Sequence, residues 1–141
     1  MKKTARHAFI YPLFVFAAHT GARRSEILRT RIDDIDFESG AILIREKKKS
    51  KSKATTYRRV AMTKLLKSVM GEWFARHPGG QLAIAGEGPA LLSKNEAHNY
   101  FKRALANSKW SRVRGFHVFR HSFISTLAAA SVDQRVIDEF V

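Results

Sequence analysis

The segment Thr20-Gly21-Ala22-Arg23-Arg24-Ser25-Glu26-Ile27 joins an apolar stretch of this chain to a polar one. Upstream of it, Phe9, Leu13, Phe16 and Ala17 recur at helical spacing, which predicts an amphipathic to fully buried helix over residues Thr4 to His19. Pro12 should bend that helix or mark its start. Thr20 is expected to N-cap a second helix over Ala22 to Arg29, with Gly21 easing the turn between the two. Arg23 then falls in the first turn of the second helix. There its guanidinium fork and the unpaired backbone N–H groups suit a phosphate oxygen. Taken alone, Arg23 reads more readily as a solvated surface residue.

Downstream the periodicity changes. Ile35, Phe37, Ile42, Ile44, Val60 and Met62 alternate in part, which predicts strands over Asp33 to Phe37, Ala41 to Lys47 and Thr56 to Met62. Glu38-Ser39-Gly40 makes the first turn. The second connection, residues 48–55 (KKSKSKAT), has no apolar residue larger than Ala and is expected to be an exposed basic tip. Thr63 can cap a helix to about His77 with an apolar stripe of Leu65, Leu66, Val69, Met70, Trp73 and Phe74, stopped by Pro78-Gly79-Gly80. Ser93-x-x-Glu96 matches a capping box and opens a helix with Ala97, Tyr100, Phe101, Ala104 and Leu105 inward. After a basic linker (Lys109, Arg112, Arg114) comes a helix over His117 to Ala130, with Phe119, Phe123, Leu127 and Ala130 at core spacing. A short final helix covers Asp133 to Val141. The expected fold is α+β and mainly α: a helical unit with a small three-stranded antiparallel sheet on one edge.

Composition bounds the function. A chain of 141 residues suffices for one core and is short for two ordinary domains, so residues 1–141 are expected to form a single domain. Twenty-six Lys and Arg against 12 Asp and Glu give a formal net charge of +14, a field that attracts polyanions through phosphate contacts and counterion release. The absence of Cys excludes disulfides and thiolate metal sites, and the six His show no paired-ligand spacing, so no metal is expected. The apolar run from Phe9 to Ala18 is far shorter than the roughly 20 residues that span a bilayer, so no membrane association is expected.

Several residues could carry chemistry. His117 and Arg120, at i and i+3, share a helix face and can reach one ligand group together, although His117 could instead cap the helix or sit in a polar core. His121 lies nearer the apolar face and is expected to be a buried hydrogen-bonding residue. Lys47, Lys48, Lys49, Lys51 and Lys53 read mostly as a solvated hairpin. One of them, held at a strand edge near a phosphodiester, could protonate a departing oxygen; spacing alone does not say which.

Taken in order, these segments resemble the tyrosine recombinases of the phage integrase family. Residues 20–27 resemble the TGxRxSEL box, Asp34-Ile35-Asp36 the DID that follows it, and Arg58-Arg59-Val60-Ala61-Met62 the RxVPL strand. His117-Val118-Phe119-Arg120-His121-Ser122 resembles HxLRHT, and residues 127–133 resemble LAxxGVD. The resemblance covers about residue 10 to 141 and implies the helical catalytic domain of that family, with duplex DNA as partner and a cytoplasmic location. It implies Arg23 and Arg120 as the two catalytic Arg, His117 as the His of the HxxR box, and Lys48 as the hairpin Lys, with Lys47 and Lys49 as alternatives. Glu26, Asp34 and His121 match positions that support these groups. Arg24, Lys47, Lys49, Lys51 and Lys53 are expected on the DNA.

In this family a Tyr hydroxyl attacks a DNA phosphodiester and leaves a 3′-phosphotyrosine. Two Arg and a His can stabilise the developing charge without a metal, and no cofactor is expected because the covalent link conserves the bond energy. The family's Gly-His or Gly-Trp pair and its nucleophilic Tyr fall beyond Val141, and the N-terminal DNA-clamping domain is likewise not represented. Tyr11, Tyr57 and Tyr100 do not fit the nucleophile's place. The full-length protein is expected to act as a tetramer on DNA and the 141-residue stretch to be monomeric. A type IB topoisomerase, a non-catalytic DNA-binding integrase remnant and a basic RNA-binding protein are the alternatives.

Overall fold

A computed structural model describes residues 7–46, 56–86 and 92–130, together with positions 133 and 135. The first helix, α1 (Ile10–Thr20), is buried almost all round, as a helix of this composition must be: Leu13, Phe16 and Ala17 are fully enclosed, and Phe14 and Val15 nearly so. It starts close to Pro12, which occupies the first turn, where a missing N–H leaves no bond unmade. Around α1 pack α3 (Lys64–Phe74), α4 (Lys94–Leu105) and α5 (His117–Ala129), with the short α2 (Arg24–Arg29) between α1 and the sheet.

The joint between α1 and α2 differs from the sequence expectation. Thr20 does not cap α2. It is the last residue of α1, and its buried hydroxyl donates back to the Phe16 carbonyl at 2.7 Å while accepting from the Ala22 N–H at 3.2 Å. Gly21 is the C-cap, at φ +65°, and its N–H closes on the Ala17 carbonyl. Helix α2 therefore begins two residues later than expected, and Arg23 is its N-cap, outside the first turn.

The sheet is a three-stranded antiparallel meander of β1 (Ile35–Asp36), β2 (Ala41–Arg45) and β3 (Tyr57–Ala61). Ile42 pairs with Val60 and Ile44 with Arg58, so one face carries Ile42, Ile44, Val60 and the aliphatic part of Arg58 into the core, while Leu43 and Arg59 face out. The expected first strand is shorter than Asp33 to Phe37, because residues Ile32–Asp34 form a 3-10 turn held by the Asp34 carboxylate, which accepts the Arg31 N–H at 2.9 Å. The basic tip, including Lys47, Lys48, Lys49, Lys51 and Lys53, lies outside the described residues, as does most of the expected final helix over 133–141.

The other two predicted caps, Thr63 and Ser93, are present. Thr63 accepts from the Leu66 N–H, and Ser93 and Glu96 bond each other's backbone N–H at 3.1 and 2.8 Å. On α4, Ala97, Phe101 and Leu105 are buried, and Tyr100 and Ala104 pack partly. Helix α5 departs from its pattern: no residue of it is buried. Phe119, Phe123 and Leu127 are half-buried and Ala130 is exposed, because α5 meets α1 along one side only. His121, expected in the interior, is exposed for the same reason.

Two contacts fix α5 where it does pack. Phe14, Phe101, Phe116 and Phe119 form a cluster in which all six ring pairs have centroids 4.9 to 6.1 Å apart, joining α1, α4 and the start of α5. The Phe123 ring then lies flush on Gly21, where an added Cβ would stand 2.5 Å from Phe123 Cδ1. Gly21 is thus required twice, by its left-handed backbone and by the ring above it. Gly21→Ala should cost about 2 kcal/mol or more, combining the left-handed penalty with overpacking. Urea unfolding that gave equal midpoints for the two proteins would contradict this.

Candidate phosphate-binding site

Arg23, which caps α2, and His117 and Arg120, one turn apart on α5, are more than 90 residues apart in sequence and line one cavity of about 340 Å³. Each is held differently. Arg23 is exposed, but its backbone N–H donates to Glu26 Oε2 at 2.8 Å and its Nη1 to Oε1 at 3.1 Å. Arg120 is half-buried and donates through Nη1 to the Gly21 carbonyl at 2.9 Å, so the glycine that turns α1 into α2 also aims the α5 guanidinium. His117, at the first turn of α5, is exposed on the cavity.

Beneath them lies Glu26, only 2 % exposed. A buried carboxylate needs partners, and Glu26 has two guanidiniums: Arg23 as above, and Arg58 of β3, whose Nη2 and Nη1 donate to Oε2 at 2.8 Å and Oε1 at 3.2 Å. Arg58 Nη1 also reaches Glu46 Oε1 at 3.2 Å. Burial pushes the Glu26 carboxyl up, but the hydrogen bonds from Arg58 and Arg23 outweigh it and hold the group below its ordinary value of 4.5. Burial, and then the neighbouring Arg23 and Arg58 charges, push Arg120 down from the usual guanidinium range; it remains a cation. Glu26 and Glu46 thus offset part of the positive charge that Arg23 and Arg58 bring beside Arg120.

Asp34 stands apart from the cavity. It accepts Arg45 Nε and Nη2 at 2.8 Å each, a bidentate pair between the 3-10 turn and β2. Arg29 Nη2 adds a bond from α2 to the Arg45 carbonyl at 3.1 Å. Asp34 thus braces the sheet against α2 and touches no cavity residue.

Of the remaining expected residues, Arg24 lines the cavity, whereas His121 does not. The five Lys from 47 to 53 lie outside the described residues. Tyr11, Tyr57 and Tyr100 are all away from the cavity. Tyr57 lies under the Arg45 guanidinium at 5.4 Å, and Tyr100 meets Phe9 edge-on at 4.9 Å. Among the described residues no three His, Asp or Glu side chains converge as a metal site.

Sequence reasoning passed over Arg58, although a signal existed. It lies two residues from Val60, so strand period places both on the core face, and an Arg there demands a carboxylate. Lys94, His98 and Arg114, which also line the cavity, carried no such signal. They reach it only through the packing of α4 and the linker that precedes α5.

The sequence model described as the phage integrase family matches residues 2–141. No curated protein matches the chain significantly. Among solved structures, a XerA recombinase superposes with a TM-score of 0.81 at 18 % identity over 94 % of this chain and 48 % of its own. A Tn1549 transposon integrase in complex with transposon right-end DNA gives 0.80 at 16 % identity, over 94 % and 50 %. A XerH site-specific recombinase bound to its difH substrate gives 0.76 at 24 % identity, over 100 % and 41 %. The chain spans half or less of the length of these solved relatives.

The buried Glu26 cluster has a testable pH signature. Because the Glu26 carboxyl is held below its unfolded value, its contribution to stability is complete above about pH 4.5 and is lost as pH falls through the folded-state value. Glu26→Gln leaves the buried Arg58 with only the Glu46 carboxylate as charge partner and should cost about 3 kcal/mol at pH 7. Thermal melts from pH 7 to pH 3 should show wild type and variant converging on acidification. A gap that stayed constant or widened would refute the ion-pair account.

Proposed function

The chain belongs to the phage integrase family, and from that premise we propose that residues 1–141 are one domain that grips a DNA phosphodiester and activates it for strand exchange. The observation that carries this reading is the convergence of Arg23, His117 and Arg120 on one cavity. Tyrosine recombinases are DNA breaking and rejoining enzymes, and the fold is theirs. The roles given to individual residues below are our reading.

Arg23 and Arg120 bond the non-bridging oxygens of the scissile phosphate, and His117 donates to the same group. Their value lies in being fixed before the reaction. Glu26 holds Arg23 and the Gly21 carbonyl holds Arg120, so little reorganisation is needed as charge develops at phosphorus. Lys48, which falls between β2 and β3 in sequence, hands a proton to the 5′-oxygen as its bond to phosphorus breaks, with Lys47 or Lys49 as the alternative donor. Arg24, Lys47, Lys49, Lys51 and Lys53 add backbone contacts. The bond that replaces the broken one is a 3′-phosphotyrosine. None of Tyr11, Tyr57 and Tyr100 lies at the cavity, which supports a nucleophile encoded after Val141. The complete protein would recombine duplex DNA as a tetramer, while the 141-residue stretch would bind DNA as a monomer.

In a version of the protein extended through the next Tyr, Arg120→Ala should reduce phosphotyrosine formation on a nicked duplex by at least 10²-fold, the usual cost of removing one donor to a developing oxyanion. Most of the duplex affinity should remain. Cleavage by the variant at the wild-type rate would overturn the role of Arg120. A preference of the 141-residue chain for structured RNA over duplex DNA in competition would overturn the choice of partner.

A further inference from the structure

The cavity is larger and more basic than one phosphodiester requires. Besides Arg23, His117 and Arg120, it is lined by Lys94 and His98 of α4 and Arg114 of the linker before α5, and the lining holds no carboxylate. Beyond the groups assigned to the scissile phosphate, Arg24, Lys94 and Arg114 line the same space without a counter-charge among its lining residues. A sphere of 340 Å³ is about 9 Å across, whereas phosphates along one strand recur every ~3.4 Å of helix rise.

Lys94, His98 and Arg114 come from two elements. Lys94 and His98 are four residues apart on α4 and so lie on one face of it. Gly115 passes directly beside the His98 ring, with an added Cβ only 3.9 Å from Nδ1 and Cε1, which brings the linker and its Arg114 against that face. The phenyl cluster of Phe101, Phe116 and Phe119 lies behind both elements and fixes their spacing.

From this arrangement we infer a second phosphate subsite, in which Lys94 and Arg114, with His98 as a hydrogen-bonding side chain, hold the phosphate next to the scissile one on the same strand. The inference rests on the reading of Arg23, His117 and Arg120 as the scissile-phosphate site. Two adjacent phosphates gripped by one rigid cavity fix the strand's direction as well as its position, which a single phosphate contact cannot do. That would set which oxygen of the scissile phosphate faces the leaving-group side.

The test is the salt dependence of binding to a fluorescein-labelled mixed-sequence duplex, measured by anisotropy with the 141-residue chain. The slope of log K against log[salt] counts phosphates neutralised, at about 0.9 per phosphate. Lys94 and Arg114 are exposed, so Lys94→Gln/Arg114→Gln should melt at the wild-type temperature. Its slope should be shallower by about 0.9, one phosphate lost. His98→Gln should keep the wild-type slope and weaken binding a few-fold. An unchanged slope in the Lys94/Arg114 variant would overturn the subsite, and a drop near 1.8 would assign the two cations to separate phosphates and overturn it equally. Arg23→Ala/Arg120→Ala in the same assay separates the two levels. If that pair flattens the slope and the Lys94/Arg114 pair does not, the second subsite alone fails; if neither does, the parent reading fails with it.

Discussion

A buried carboxylate between two guanidiniums organises this molecule. Glu26 takes four hydrogen bonds, two from Arg23 at the cap of α2 and two from Arg58 on the inward face of β3. Burying that charge is tolerable only because both partners are present. The requirement fixes where α2 starts, how the sheet lies against it and where Arg23 stands. The same carboxylate sets the electrostatics above it. It offsets part of the positive charge, so that Arg23, Arg58 and Arg120 can sit together in a partly desolvated place.

The second joint is at Gly21. Its left-handed backbone ends α1, its carbonyl receives Arg120, and its bare Cα receives the Phe123 ring. Three demands meet at a residue with no side chain. Helix α5, held by this point and by the phenyl cluster, needs no buried stripe of its own to present His117 and Arg120 to the cavity. Precision at the site thus comes from a few fixed contacts near the start of α5, while the rest of that helix stays half-exposed.

Much of this was legible in the sequence, for identifiable reasons. Capping chemistry is local, so Ser93 with Glu96 and Thr63 announced α4 and α3 correctly. Strand alternation located β2 and β3. The helical spacing of His117 and Arg120 placed them on one face, and both line the cavity. The failures are equally physical. Thr20 has the side chain of an N-cap, but its hydroxyl is used to end α1, because the chain reverses at Gly21 and leaves Arg23 to begin α2. His121 was expected inside because the period of α5 suggested a full apolar face, whereas α5 packs on one side only. Arg58 escaped notice because an Arg in a strand reads as solvent-facing by residue type, although its two-residue spacing from Val60 already placed it on the core face. Lys94, His98 and Arg114 come from separate segments, and no local pattern unites them.

The central claim is that Arg23, His117 and Arg120 form one phosphate site, and a crystal structure of the chain with duplex DNA tests it most directly. The account predicts a phosphodiester with oxygens about 2.7 to 3.1 Å from donors of both Arg23 and Arg120, and with His117 against the same group. A duplex whose backbone crossed another face and left no phosphate between Arg23 and Arg120 would contradict it.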